Sequence, residues 1–231
     1  MFFEKVINIF DFYHQKRIIN YIKKLNIKYF IDVGAHYGET IKLFYKNFSI
    51  EKIIAFEPSP KNFQKLLEKT KQFKNLKCYE LGLGEKKEKV DFTQHFESSS
   101  STLTPINNDS KYYKRKVAYL NMLSFSKSRN FQIKVDIDRL DNILAVNNVK
   151  KIDILKIDTE GHDFEVIKGL GNYLHKVKYI YFEHHFHNML KKNYTLHDVN
   201  SFLSKNNFKK VFKLKMFFRK TFEYIYENNS L

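Results

Sequence analysis

The sequence predicts an α/β fold: a mostly parallel, doubly wound sheet with helices on both faces. Short apolar runs alternate with amphipathic segments along most of the chain, the pattern of buried parallel strands linked by helices. The first run passes through a glycine turn straight into a helical pattern. The chain has 231 residues and is 43% apolar, enough for one sizeable core.

Taken in order, apolar positions from Val6 to Leu25 fall at near-helical spacing, interrupted only by Arg17. They predict an N-terminal helix over about 4–25 that covers a sheet edge. Attachment to a membrane surface is the weaker alternative. Tyr29–Val33 is the first strand, Glu39–Asn47 a helix and Lys52–Phe56 the second strand. Ser59 or Pro60 opens the next helix, with proline tolerated in a first turn. Leu76–Leu81 is the third strand, ending in Gly82-Leu83-Gly84. Ile152–Ile157 is the fourth, followed by a helix from Asp163 to Leu174. Lys178–Phe182 is the fifth, and Leu196–Leu203 is helical. From Phe208 to Tyr226, Phe212, Leu214 and Met216 alternate with Lys213 and Lys215, which predicts two closing antiparallel strands. The stretch 85–144 breaks the rhythm. Strand-like pieces at Lys89–Thr93 and Phe131–Val135 bracket a serine cluster and a polar, basic stretch. A substrate lid and a solvated loop fit it equally. This divides the chain into an extension at 1–26 and one domain at 27–231, with an insertion at about 85–144.

No apolar run approaches the roughly 18 residues of a membrane span. Met1-Phe2-Phe3-Glu4-Lys5 reads as no signal peptide, and Cys78 as the sole cysteine excludes an intrachain disulfide. The expectation is a cytoplasmic protein. A formal charge of +16 raises nucleic acid as a partner. However, only Arg17, Arg115, Arg129, Arg139 and Arg219 are arginines, and the lysines are spread along the whole chain. Compositional bias is the better account, because arginine is the usual bidentate reader of bases and phosphates.

In Phe30-Ile31-Asp32-Val33-Gly34-Ala35-His36-Tyr37-Gly38, a strand carries an acid ahead of the glycine turn. A dinucleotide sets its pyrophosphate there, and a carboxylate would repel it. S-adenosylmethionine, cationic and without phosphate, suits the acid. Glu57, at the tip of the second strand and nineteen residues after Gly38, stands where a ribose clamp is expected. The fourth strand ends in Asp158-Thr159-Glu160-Gly161-His162, and the fifth runs into Glu183-His184-His185. Ligands of open α/β sheets sit outside the carboxyl ends of the strands. Glu160, His162, His184 and His185 are the candidate bases. A divalent cation on Asp158, Glu160 and Glu183 is a disfavoured alternative. Zinc at His184-His185-x-His187 is weaker still.

Asp32-Val-Gly-Ala-x-x-Gly, Phe56-Glu57-Pro58, the serines from Ser98 to Leu103, Asp138-x-Leu140-Asp141 and Leu155-Lys-Ile-Asp-x-Glu-Gly161 together resemble the FkbM-type SAM-dependent methyltransferases. The likeness runs from Phe30 to Glu183 in the right order. His36 stands where that family often has Asn, and Asp163 where it often has Glu. The resemblance implies a Rossmann-like class I methyltransferase fold, S-adenosylmethionine as donor and O-methylation of a sugar, glycan or secondary metabolite. Cofactor contacts would come from Asp32, Gly34, Ala35, Gly38, Glu57, Gly82, Leu83 and Asp158. By position Asp32 lies near the ammonium, Glu57 on the ribose, and Gly82 and Leu83 beside the adenine. Asp158, Glu160 and His162 would serve turnover, with no metal assigned. An RNA methyltransferase and a catalytically inactive binding module are the alternatives. Oligomeric state is not legible.

Overall fold

A computed structural model describes residues 14–94, 101–123, 131–217 and 219–231. Helix α1 covers 14–22. β1 (Tyr29–Val33), α2 (Glu39–Asn47), β2 (Lys52–Phe56), α3 (Pro60–Thr70) and β3 (Leu76–Tyr79) follow. Next come β4 (Gly82–Leu83), β5 (Glu88–Gln94), α4 (Lys111–Leu123), β6 (Phe131–Asp138) and α5 (Leu140–Val146). The chain closes with β7 (Ile152–Ile157), α6 (Asp163–Lys168), β8 (Val177–His185), α7 (Leu196–Lys205), β9 (Phe208–Lys215) and β10 (Thr221–Asn228). A seven-stranded sheet has the order β3-β2-β1-β7-β8-β10-β9. Its first five strands are parallel, and β10 pairs antiparallel with both β8 and β9.

Alternating residues of each strand feed opposite faces. Phe30, Ile53, Ile154 and Ile225 pack under α1, α2 and α3, through Ile22, Ile41, Phe44 and Leu66. Ile31, Ile54, Leu155 and Ile180 pack under α5, α6 and α7, through Leu144, Val166 and Leu203. Burying such side chains fully is worth about 1.5–3 kcal/mol each, and this holds the sheet between its two helical layers. Local chemistry sets the element ends. The Ser59 hydroxyl accepts from Asn62 N at 3.3 Å ahead of Pro60. Thr195 and Asp198 form a reciprocal capping box at α7.

β1, β2, α2, β7, the start of α3 and the two closing antiparallel strands β9 and β10 coincide with the sequence expectation; several other elements differ. β3 ends at Tyr79, and Gly82-Leu83 leaves the main sheet to pair with β6 in a second sheet, β4-β6-β5. Gly82 packs closely against β6 there: a Cβ would stand 2.3 Å from the end of the Ile137 side chain. The expected helix 163–174 breaks after Lys168 into a 3-10 turn at Gly171–Lys176. Gly171 has φ +47, outside the right-handed helical region. β8 extends to His185 because β10 keeps pairing with it as far as Thr221↔His185. Helices α4, inside 85–144, and α5, across its end, depart from the sequence expectation: one is lysine- and tyrosine-rich, the other only seven residues long. Of the expected N-terminal helix, the part before residue 14 and Ser98–Ser100 of the serine cluster lie outside the described residues. No helix among the described residues is long and apolar enough to cross a membrane.

Candidate active site

A cavity of about 1090 Å³ opens over the carboxyl ends of β1, β2, β7 and β8. At one end the turn after β1, the tip of β2 and β4 form its wall. Gly34 and Ala35 donate backbone N–H bonds to Phe56 O at 3.0 and 2.9 Å, fastening the turn to β2. A Cβ on Gly34 would meet Asp158 O at 1.9 Å, so this glycine lets the β1 and β7 tips approach. Glu57 is 4% exposed. It accepts from His36 N at 2.9 Å, Ser59 N at 3.0 Å and Asn62 Nδ2 at 3.4 Å. Burial pushes its carboxyl up to about 7 against the pull of those donors. Leu81, Gly82 and Leu83 supply an apolar wall beside it.

Asp32 does not line the cavity. It is fully buried, and neither carboxylate oxygen has a hydrogen-bond partner. The register pairs it with Lys156 of β7, whose Nζ lies 3.4 Å from Asp32 Oδ1 and 3.2 Å from Asp158 Oδ2. Burial raises the Asp32 carboxyl, and Lys156 offsets only part of that. Burial also works against the charge on Lys156, yet Asp32 and Asp158 outweigh it and raise the ammonium. The acid at the strand tip is therefore a partly compensated charge beneath the cavity. Asp32, expected near a ligand ammonium directly or through water, is thus not itself part of the cavity lining. Lys156 lies inside the Leu155–Gly161 motif, where a lysine two residues before an acid is no signal until register is known.

At the other end, strand alternation sends Glu183 and His185 into the cavity and His184 to the opposite face. There His184 Nε2 lies 3.3 Å from Lys192 Nζ. His185 Nε2 contacts Glu160 Oε2 at 3.2 Å and Glu183 Oε1 at 3.6 Å, while its Nδ1 lies 3.1 Å from Thr221 Oγ1. Burial disfavours the imidazolium, but Glu160 and then Glu183 outweigh it and raise His185. Burial likewise opposes the Glu160 carboxylate, and His185 outweighs it and holds Glu160 below its usual range. The pair is thus carboxylate and imidazolium at neutral pH. Glu160 sits at φ +50, its carbonyl accepting from the Thr102 hydroxyl at 2.8 Å. Asp158 lies between the two ends, its side chain 38% exposed.

Two other expected residues stand elsewhere. His162 does not line the cavity; a Cβ on Gly84 would lie 3.1 Å from its Nε2, and burial lowers it to about 4. Gly38, at φ +81, begins α2 and packs toward Thr70 and Leu66 of α3. The cavity also has walls that sequence reasoning missed. His14 of α1 contacts Glu223 of β10 at 3.0 Å. Tyr112 of α4 stacks on His187, with ring centres 4.2 Å apart. Arg115 and Lys116 follow one turn later. The start of α4 is tied down by Ser110 Oγ donating to Asn188 Oδ1 at 2.6 Å and Asn107 N to Met189 O at 2.8 Å. Among the described residues, no three His, Cys, Asp or Glu side chains form a metal group.

The strand order and the cavity at its switch point define the class: this is a Rossmann-like class I methyltransferase fold. It matches the FkbM methyltransferase of Methylobacillus flagellatus KT with a TM-score of 0.56 and 15% identity, covering 87% of this chain and 44% of that one. It also matches M. capricolum TrmK, solved with its cofactor product S-adenosylhomocysteine, with a TM-score of 0.51 and 10% identity over 91% and 67%. Residues 32–210 match the methyltransferase FkbM domain, and the chain belongs to that family. Curated relatives include Methyltransferase 1 of Beauveria bassiana, 23% identical over 62% of this chain and 59% of that protein. Another is methyltransferase sdnD of Sordaria araneosa, 27% identical over 62% and 60%. A third is 2-O-methyltransferase NoeI of Sinorhizobium fredii, 22% identical over 67% and 62%. The matches span about three fifths of those proteins' lengths.

Proposed function

We propose that this protein is an S-adenosylmethionine-dependent methyltransferase acting on a hydroxyl of a sugar, glycan or small metabolite. The observation that carries the reading is one cavity with two differently built acids. Glu57 is anchored by backbone N–H groups at one end, and Glu160 is held as a carboxylate by His185 at the other. The residues present fit the cofactor: lone pairs left on Glu57 can take ribose hydroxyls, and Leu81 and Leu83 offer an apolar wall to a base. Bound there, S-adenosylmethionine supplies a methyl group on a cationic sulfur.

The chain's own groups then do the rest. Asp158, half-exposed between the ends, faces positive charge in the cavity. Glu160 takes the proton that the acceptor hydroxyl releases, a contribution worth roughly 10² to 10⁴ in rate. His185 orients Glu160 and keeps its own proton. The segment 101–123, docked on 187–191, covers the acceptor side as a lid. The name of the 2-O-methyltransferase relative supports an oxygen acceptor. Titration calorimetry with S-adenosylmethionine, S-adenosylhomocysteine and NAD tests the reading. Binding of the first two and not of NAD is expected; binding of NAD alone refutes it.

A further inference from the structure

The charges around the cavity are unequally satisfied. Each carboxylate lining it has a partner. Glu39 faces His36 Nδ1 at 3.4 Å, and Asp158 faces Lys156 at 3.2 Å. Glu160 and Glu183 share His185, Glu223 holds His14, and Glu57 accepts its N–H donors. Two cations in the same lining are different. Arg115 of α4 and Lys220, in the turn between β9 and β10, make no ion pair or side-chain hydrogen bond among the described residues. They come from separate elements that border the His185 end of the cavity: Lys220 precedes Thr221, whose hydroxyl contacts His185, and the Tyr112 ring of α4 stacks on His187. Arg115 is placed there by helical spacing: it lies three residues after Tyr112, whose ring is stacked on His187.

At about 1090 Å³ the cavity is at the upper limit for a single small-molecule site, so it has room for an acceptor beside the cofactor. Carboxylates satisfied from within leave no anionic surface calling for a cationic acceptor. Two exposed cations with no ion partner among the described residues leave a surface that an anion completes.

We propose that the acceptor is a hydroxylated molecule bearing a carboxylate or phosphate, bound by Arg115 and Lys220 while its hydroxyl faces Glu160. This rests on the methyltransferase reading above and names the substrate class of that site. A planar guanidinium can take either anion bidentately, and the lysine adds a point charge.

The test uses the whole protein saturated with S-adenosylhomocysteine, titrated at constant ionic strength with glucose, glucuronic acid and glucose 1-phosphate. At least one acid is expected to bind about tenfold more tightly than glucose, and the comparison of the two tells carboxylate from phosphate. Arg115→Gln and Lys220→Gln are each expected to weaken that acid about fivefold, the most an exposed ion pair supplies. Affinity for S-adenosylhomocysteine and the melting temperature should stay unchanged. Equal binding of acid and neutral sugar, binding of none of the three, or unaltered acid affinity in both variants overturns the proposal. Failure of S-adenosylhomocysteine itself to bind would instead strike the methyltransferase reading.

Discussion

Replacing Lys156 by methionine should destabilise the protein far more than an ordinary lysine substitution. Methionine keeps a stem of similar length on β7, the strand between β1 and β8, but removes the charge opposite Asp32. The Asp32 carboxylate is then buried, 0% exposed, with no cation and no hydrogen-bond donor on either oxygen. Stripping one partner from a buried pair costs about 3–5 kcal/mol, because the surviving charge stays desolvated. Losing the contact to Asp158 adds at most about 1 kcal/mol, since that side chain reaches solvent. The sign with pH follows. Burial already raises Asp32 above 3.8, and removing Lys156 raises it further. An acid raised in the folded state weakens that state above its unfolded value, so the cost grows as pH rises above 3.8 and fades as pH falls toward it. Urea unfolding from pH 4 to 8 measures it. The double variant Asp32→Asn with Lys156→Met should recover most of the loss. A cost under about 1 kcal/mol at neutral pH, or no recovery in the double variant, would refute the compensated-charge argument.

Three further outcomes are expected. Glu57→Ala should weaken S-adenosylhomocysteine about tenfold or more and also lower the melting temperature, because His36 N and Ser59 N lose their acceptor; calorimetry and a thermal melt read the two effects. Glu160→Gln should retain S-adenosylmethionine and lose roughly 10²-fold or more in rate, and NMR titration should find His185 shifted back toward the ordinary imidazole range. A near wild-type rate would transfer the base role elsewhere. His185 is raised from 6.5 to about 9 by Glu160 and Glu183 against burial, so the stability it contributes is complete below 6.5 and disappears as pH rises through 9. Unfolding of wild type and His185→Gln should therefore differ most below pH 6.5 and converge above pH 9; a difference that grows with pH contradicts the assignment.

Period and spacing were enough to read the parallel strands. β1, β2 and β7 are short, apolar and bounded by turn residues, and their limits follow from burial on both faces. The acids at or beside the strand tips, and their gathering at one end of the sheet, follow from the same pattern, because every parallel strand delivers its carboxyl end to the same side. Glu57 and Glu160 were legible on this ground. The sequence could not say which tip residues face a ligand. That depends on register and side-chain parity: Asp32 lies opposite Lys156 and is sealed beneath the floor, whereas Glu183 and His185 look into the cavity and His184 looks away. Nor could it place α4 beside His187 or His14 beside Glu223, residues 75 and 209 positions apart in the chain. Such contacts carry no local periodicity. They arise when separate elements bury their apolar faces against one sheet, and only then do their polar side chains share a cavity and one balance of charge.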